Sequence, residues 1–104
     1  FIDVRTRDID FGVPASLKVF YQIITTSKCG NPVKIQVAYN GSQAFEDLGI
    51  LPIASTWAPA RFYFDPVNKI PKRAYSIQIR FINVDGVKVP NFELNDVTLI
   101  YRSV

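Results

Sequence analysis

The chain has 104 residues, 48% of them hydrophobic and 20% charged, which is the length and balance of one ordinary globular domain. It holds no His and a single Cys, Cys29, which excludes Ser-His-Asp and Cys-His triads, imidazole and Cys-based metal sites, and a disulfide framework. Twelve Lys and Arg against nine Asp and Glu leave +3 with the signs interspersed, and no stretch approaches the ~18 apolar residues of a membrane span, so neither nucleic-acid binding nor membrane insertion is expected.

The chain opens at Phe1 and contains no Met. Asp3, Arg5, Arg7, Asp8 and Asp10 interrupt any secretory signal, so the start reads as the interior of a longer polypeptide. Ile2 and Val4 share one parity and Ile9 and Phe11 the other, which predicts a bulge within residues 5–8. Gly12-Val13-Pro14 ends this segment. Residues 17–26 are apolar on both parities, with Val19, Tyr21 and Ile23 against Phe20 and Ile24, as in a central strand covered on both faces. Cys29-Gly30-Asn31-Pro32 breaks the chain. Val33, Ile35, Val37 and Tyr39 then alternate with polar or small residues, the mark of a half-buried strand.

Asn40-Gly41 suits a two-residue hairpin turn, because both central positions need φ > 0. The helix signal is confined to residues 42–48, with Ser42 as a cap. Pro52, Pro59, Pro66 and Pro71 divide residues 49–73, and residues 66–72 form a loop. Ala60, Phe62 and Phe64 alternate with Arg61, Tyr63 and Asp65, and Tyr75, Ile77, Ile79 and Phe81 give another alternating strand. Asp85-Gly86 repeats the turn signal. Phe92 and Leu94 are out of phase with Val97, Leu99 and Tyr101, which predicts a second bulge at Asn95-Asp96.

These runs predict an all-β, antiparallel, jelly-roll-like sandwich of six to eight strands as one domain over residues 1–104. Its expected core is Val19, Tyr21, Ile35, Val37, Phe62, Phe64, Ile77, Ile79, Phe81, Val97, Leu99 and Tyr101.

Candidate sites are few. Asp8 and Asp10 share a strand face, yet nothing marks either as a catalytic acid, and Arg5 and Arg7 are local partners. If the first and last segments pair, Asp8 or Asp10 meets Asp96 as a candidate calcium site, with Asp3, Glu93 and Asn95 as further oxygen donors. No calcium-loop motif is present, and Asn95 and Asp96 also suit a bulge backbone. Trp57 and Tyr63 are candidate sugar-stacking rings beside Tyr21 and Tyr39, although Trp57 next to Pro52 and Pro59 also reads as a plug over the core. Phe20, Ile24, Ile50, Leu51 and Ile53 are candidates for an interface with another chain, against the alternative that residues 49–54 fold over the Phe20 and Ile24 face. Cys29 reads as a bystander thiol. No nucleophile elbow or phosphate-cradling loop occurs, so an enzyme is not expected.

Two stretches carry a resemblance. The first is Thr6-Arg7-Asp8-Ile9-Asp10-Phe11-Gly12-Val13-Pro14, with Lys18-Val19-Phe20-Tyr21 and Val33-Lys34-Ile35-Gln36-Val37-Ala38-Tyr39-Asn40-Gly41. The second is Tyr75-Ser76-Ile77-Gln78-Ile79-Arg80-Phe81, with Phe92-Glu93-Leu94-Asn95-Asp96-Val97-Thr98-Leu99-Ile100-Tyr101-Arg102. Together they resemble a β-sandwich module of tail-associated structural proteins of tailed bacteriophages; residues 42–72 match weakly. The resemblance implies a non-catalytic virion component, a tail or adaptor module assembling with other virion proteins and with copies of itself. It carries no catalytic residues and no cofactor. A capsid decoration protein and a carbohydrate-binding module reading a host surface glycan are the alternatives. The last strand also looks like that of carbohydrate-binding jelly rolls in which an acid at the position of Asp96 holds a structural Ca²⁺.

Overall fold

The computed structural model describes residues 3–12, 15–65, 67–84 and 92–103. Eight strands follow in chain order: β1 (Asp3–Arg5), β2 (Lys18–Cys29), β3 (Val33–Tyr39), β4 (Glu46–Ile50), β5 (Ala54–Tyr63), β6 (Lys72–Ala74), β7 (Ile77–Asn83) and β8 (Phe92–Ser103). The turn signals at Val13-Pro14 and Asp85-Gly86, the parity of Ile2, and Pro66 lie outside the described residues. Among the described residues no helix is long and apolar enough to cross a membrane.

Every pairing is antiparallel, and the strands form two sheets. The first has the order β1-β7-β3-β4. In the second, β8 pairs β2 along its length, from Lys18↔Ser103 to Cys29↔Phe92. A strand has two edges, so β5 and β6 share the other one, β5 beyond Gln22 and β6 against Lys18, Val19 and Phe20. The sheets close on one core: Phe20, Ile23 and Phe62 from the second meet Ile35, Val37, Ile77, Ile79 and Phe81 from the first. The all-β sandwich expected from the alternation is what forms.

Most of the expected core is buried, but the residues of two strands, β8 and β2, differ. Val97 and Leu99 are half-buried against the core, and Tyr101 is 37% exposed, because β8 is an outer strand with one flank toward solvent. Tyr21 is half-buried, and its hydroxyl accepts a hydrogen bond from Arg102 Nε at 2.6 Å. The cause lies in β2 itself. The register against β8 shifts between Phe20 and Gln22, leaving Tyr21 as an extra residue. A bulge reverses the phase of the side chains. Phe20 and Ile23 therefore both enter the core, while Val19, buried at 3%, stays outside that cluster. The apolar run on both parities is a phase switch within one strand, and Phe20 and Ile24 do not share a face.

The two predicted irregularities are present as well. Asp96 pairs Thr26 while Leu94 pairs Ser27, so Asn95 is the extra residue. Arg5 pairs Arg80 and Ile9 bridges Ile77, so the chain carries one residue more than its partner between them. The turn at Asn40 (φ 55°) and Gly41 (φ 70°) closes by Ser42 N–H donating to Tyr39 O at 3.0 Å. Gln43 also takes a positive φ of 59°, which delays pairing until Glu46. Residues 46–50 are strand β4, in place of the helical signal there.

The outer face of the first sheet is a closed polar network. Asp3 receives Arg80 Nε at 2.9 Å and Nη2 at 2.8 Å, and Arg5 from its own strand at 3.3 Å. Gln36 donates to Asp47 at 2.6 Å, and Lys34 stands 3.5 Å from the same carboxylate. The hydrogen bonds from Arg80, then those from Arg5, hold the Asp3 carboxyl well below its ordinary value of 3.8. A carboxyl depressed in the folded state stabilises it above the ordinary value, and that contribution disappears as pH falls below it. The protection factor of the Thr6 amide, whose N–H donates to Ile79 O at 2.9 Å, measured against the intrinsic exchange rate at each pH, should therefore fall on acidification below the usual Asp range. In Asp3→Asn the protection factor should already be lower at neutral pH and no longer change across that acid range.

The inner face of β2 holds a second testable feature. Thr25 and Ser27 are fully buried at 0% exposure, and their hydroxyls have no hydrogen-bond partner among the described residues. A buried hydroxyl left unpaired costs about 1–3 kcal/mol. Thr25→Val keeps the shape and removes that cost, so it should raise the unfolding free energy by about 1 kcal/mol in denaturant titration.

Candidate functional site

Three surfaces hold the residues singled out from the sequence. The first is the outward face of β5. Phe62 pairs Ile23, Ala60 pairs Thr25 and Ala58 pairs Ser27, all with inward partners. Residues of the other parity, Trp57, Pro59, Arg61 and Tyr63, consequently face outward. Trp57 is 44% exposed, so it does not plug the core. Lys28 Nζ stands 4.3 Å from the Trp57 ring centre, and Lys69 Nζ stands 5.0 Å from that of Tyr63. Trp57 and Tyr63 are six positions apart on one strand, roughly 20 Å. They are two separate ring stations, each with its own cation, and not a joined platform. An exposed cation over a ring contributes only about 0.5–1 kcal/mol, so a ligand can displace it, most readily one carrying negative charge.

The second surface is a hollow of about 440 Å³ lined by Asp8, Asp10, Asn40, Gly41, Tyr75 and Ser76. Asn40 Oδ1 accepts from Tyr75 N–H at 2.8 Å and its own N–H donates to Ser76 O at 3.1 Å, which docks the turn on the β6 to β7 connection. Asp10 Oδ1 accepts from Gly12 N–H at 2.8 Å, closing a turn through Phe11 (φ 59°) and Gly12 (φ 77°). A positive φ at a bulky residue is strained; the Phe11 ring stacks on Tyr101 at 3.8 Å, holding that turn against β8. Below it, fully buried Lys18 donates to Tyr75 O at 2.8 Å.

The expected meeting of Asp8 and Asp10 with Asp96 does not occur. β1 pairs β7, not the last strand, and Asp96 lies on the other sheet opposite Thr26. Among the described residues no three His, Cys, Asp or Glu side chains converge as a metal site would require. Asp10 is engaged in its turn, and Asp96 flanks a bulge, the role its type suits.

The third surface lies where the chain crosses from β4 to β5. Leu51 is buried at 1%, and its N–H donates to Val33 O at 2.8 Å, while Ile50 and Ile53 are 56% and 60% exposed. Of the five candidate interface residues, Phe20 and Leu51 are therefore core, Ile24 is half-buried on the outer face of the second sheet, and Ile50 and Ile53 are exposed on either side of Leu51. Residues 49–54 do not fold over Ile24. A hollow of about 430 Å³ beside them is lined by Lys28, Cys29, Gly30, Ile53, Ala54, Ser55 and Glu93. Cys29 Sγ donates to Pro52 O at 3.2 Å, and burial pushes its thiol up, away from the reactive thiolate.

Tyr39 also stays a phenol: burial, then the charge of Glu46, pushes its ionisation up. Its ring packs beside Phe64 at 6.3 Å under Lys72, as part of the core margin. Neither a protein-family model, nor a curated protein, nor a solved structure matches the chain.

Proposed function

We propose that this domain is a non-catalytic structural component of a bacteriophage virion, a tail-associated or adaptor module that works by protein–protein assembly. The motif pattern in residues 6–41 and 75–102 supports the virion assignment. The observation that carries the assembly reading is the pair Ile50 and Ile53, both more than half exposed on either side of buried Leu51. Leu51 and the Cys29 to Pro52 contact fix that connection, so the two isoleucines are presented on a rigid support, as at protein–protein contacts. The test is incorporation. The double variant Ile50→Asp with Ile53→Asp should fold with an unchanged far-UV spectrum yet be missing from purified particles by mass spectrometry. Undiminished incorporation overturns the role of this patch, and a cellular enzyme as parent chain overturns the assignment. Recovery from tailless heads would instead favour a capsid decoration protein.

A second reading, a carbohydrate-binding module for a host surface glycan, rests on Trp57, outward and 44% exposed; with Tyr63 roughly 20 Å away along the strand, the two rings would stack on separate sugar units. The lysines over both rings make an acidic glycan the fitting class. Unchanged Trp fluorescence with such a polysaccharide, together with a silent glycan array, rules it out.

A further inference from the structure

We infer that β8 pairs edge to edge with β8 of a second copy of this chain, antiparallel, with Thr98 on the twofold axis. Exposed strand edges template further pairing, and proteins blunt them with short strands, charge or proline. Three of the four edges here are blunted. β1 has three residues, β4 has five and carries Glu46 and Asp47, and β5 carries Pro59 in mid-strand. β8 has twelve residues and no proline, its bulge at Asn95 and its charges Glu93, Asp96 and Arg102 lie outside residues 97–101, and among the described residues it pairs only β2. Its centre, Val97-Thr98-Leu99-Ile100-Tyr101, is uncharged and β-prone, the composition that associates through its edge. Leu94, Ile100 and Tyr101 remain 37%, 38% and 37% exposed.

Self-complementarity selects the second copy as the occupant. Paired residues across an antiparallel ladder must face the same side. About Thr98, Val97 opposes Leu99, both inward, and Asp96 opposes Ile100, both outward. The bulge at Asn95 then shifts the register by one. Beyond it Leu94 opposes Tyr101, both inward, and Glu93 opposes Arg102, both outward. Without the extra residue Glu93 would oppose Ser103 on the wrong face. The two-fold gives this ion pair twice. Glu93 is 65% exposed at its side chain, with Lys28 3.9 Å away within the chain; Arg102 is exposed and donates to Tyr21 through Nε. The inference stands on β8 alone and holds whichever neighbour Ile50 and Ile53 meet.

The test uses the whole chain. Thr98→Cys should form a disulfide-linked dimer on mild oxidation, since cross-strand Cα separations of about 4.5–5.5 Å suit a disulfide. Thr56→Cys, on the edge of β5, should not. Glu93→Arg and Arg102→Glu should each weaken dimerisation in sedimentation equilibrium by roughly tenfold, because each swap sets two like-charge pairs opposite one another. The double swap should restore it, which the loss of the Arg102 to Tyr21 bond alone cannot do. A chain that stays monomeric with no Thr98→Cys dimer overturns the inference. Trapping by Leu99→Cys in place of Thr98→Cys overturns the register.

Discussion

Ile79→Ala should lower the unfolding free energy by about 2–5 kcal/mol in chemical denaturation. Ile79 is 1% exposed in the middle of β7, the strand between β1 and β3, and it opposes Val37 in the core. Its backbone is fixed on both sides of the peptide, donating to Thr6 Oγ1 at 3.0 Å and accepting from Thr6 N–H at 2.9 Å. The neighbours therefore cannot collapse into the space the side chain leaves, which places the cost above the transfer term alone. Ile50→Ala is the matched control. That side chain is 56% exposed, and its truncation should change stability by no more than about 0.5 kcal/mol. Equal effects at the two positions would mean that β4 and β7 are not arranged as described.

Deleting Tyr21 should be more damaging than any substitution of it. Tyr21 is the residue that lets Phe20 and Ile23 both face inward. Without it a one-residue slip reverses every side chain on one side of the deletion. Either fully buried Phe20 and Lys18 turn outward, or Ile23, Thr25 and Cys29 do. Losing the burial of one Phe or Ile costs about 1.5–3 kcal/mol before any cavity term, so the deletion should cost more than about 3 kcal/mol. Tyr21→Ala keeps the residue count and loses only the ring and the Arg102 bond. It should fold, with a loss of about 1 kcal/mol. A deletion variant as stable as Tyr21→Ala would contradict the phase switch.

Sequence alternation reveals strands well where each side faces one environment. Val33, Ile35, Val37, Ile77, Ile79 and Phe81 illustrate this: both strands sit inside a sheet with one wet face, and all six are buried. The Asn95 bulge was legible for the same reason, as a break in an otherwise regular period. The bulge at Tyr21 was not, because apolar residues on both parities look alike whether a strand is covered twice or changes phase. Trp57 misleads for a different reason. A large aromatic between prolines suggests burial, yet the strand's phase is set by Phe62 opposite Ile23, and parity then turns Trp57 outward. Leu51 and its neighbours Ile50 and Ile53 carry no local signal that separates them, since only the docking of Leu51 N–H on Val33 decides which one enters the core. The pairing of the first segment with β7 is likewise a matter of topology. That choice separates Asp8 and Asp10 from Asp96, and spacing along the chain holds no information about it.

The assembly reading is tested most directly by lysine cross-linking of intact purified particles, read by mass spectrometry. Two lysines flank the proposed contact: Lys34 pairs Ile50 across the ladder, and Lys28 lines the hollow beside Ile53. The proposed function predicts that both link to lysines of a different virion chain, and that these links vanish in the Ile50→Asp, Ile53→Asp variant. Links from Lys28 and Lys34 confined to their own domain, in particles that contain the chain, would contradict it.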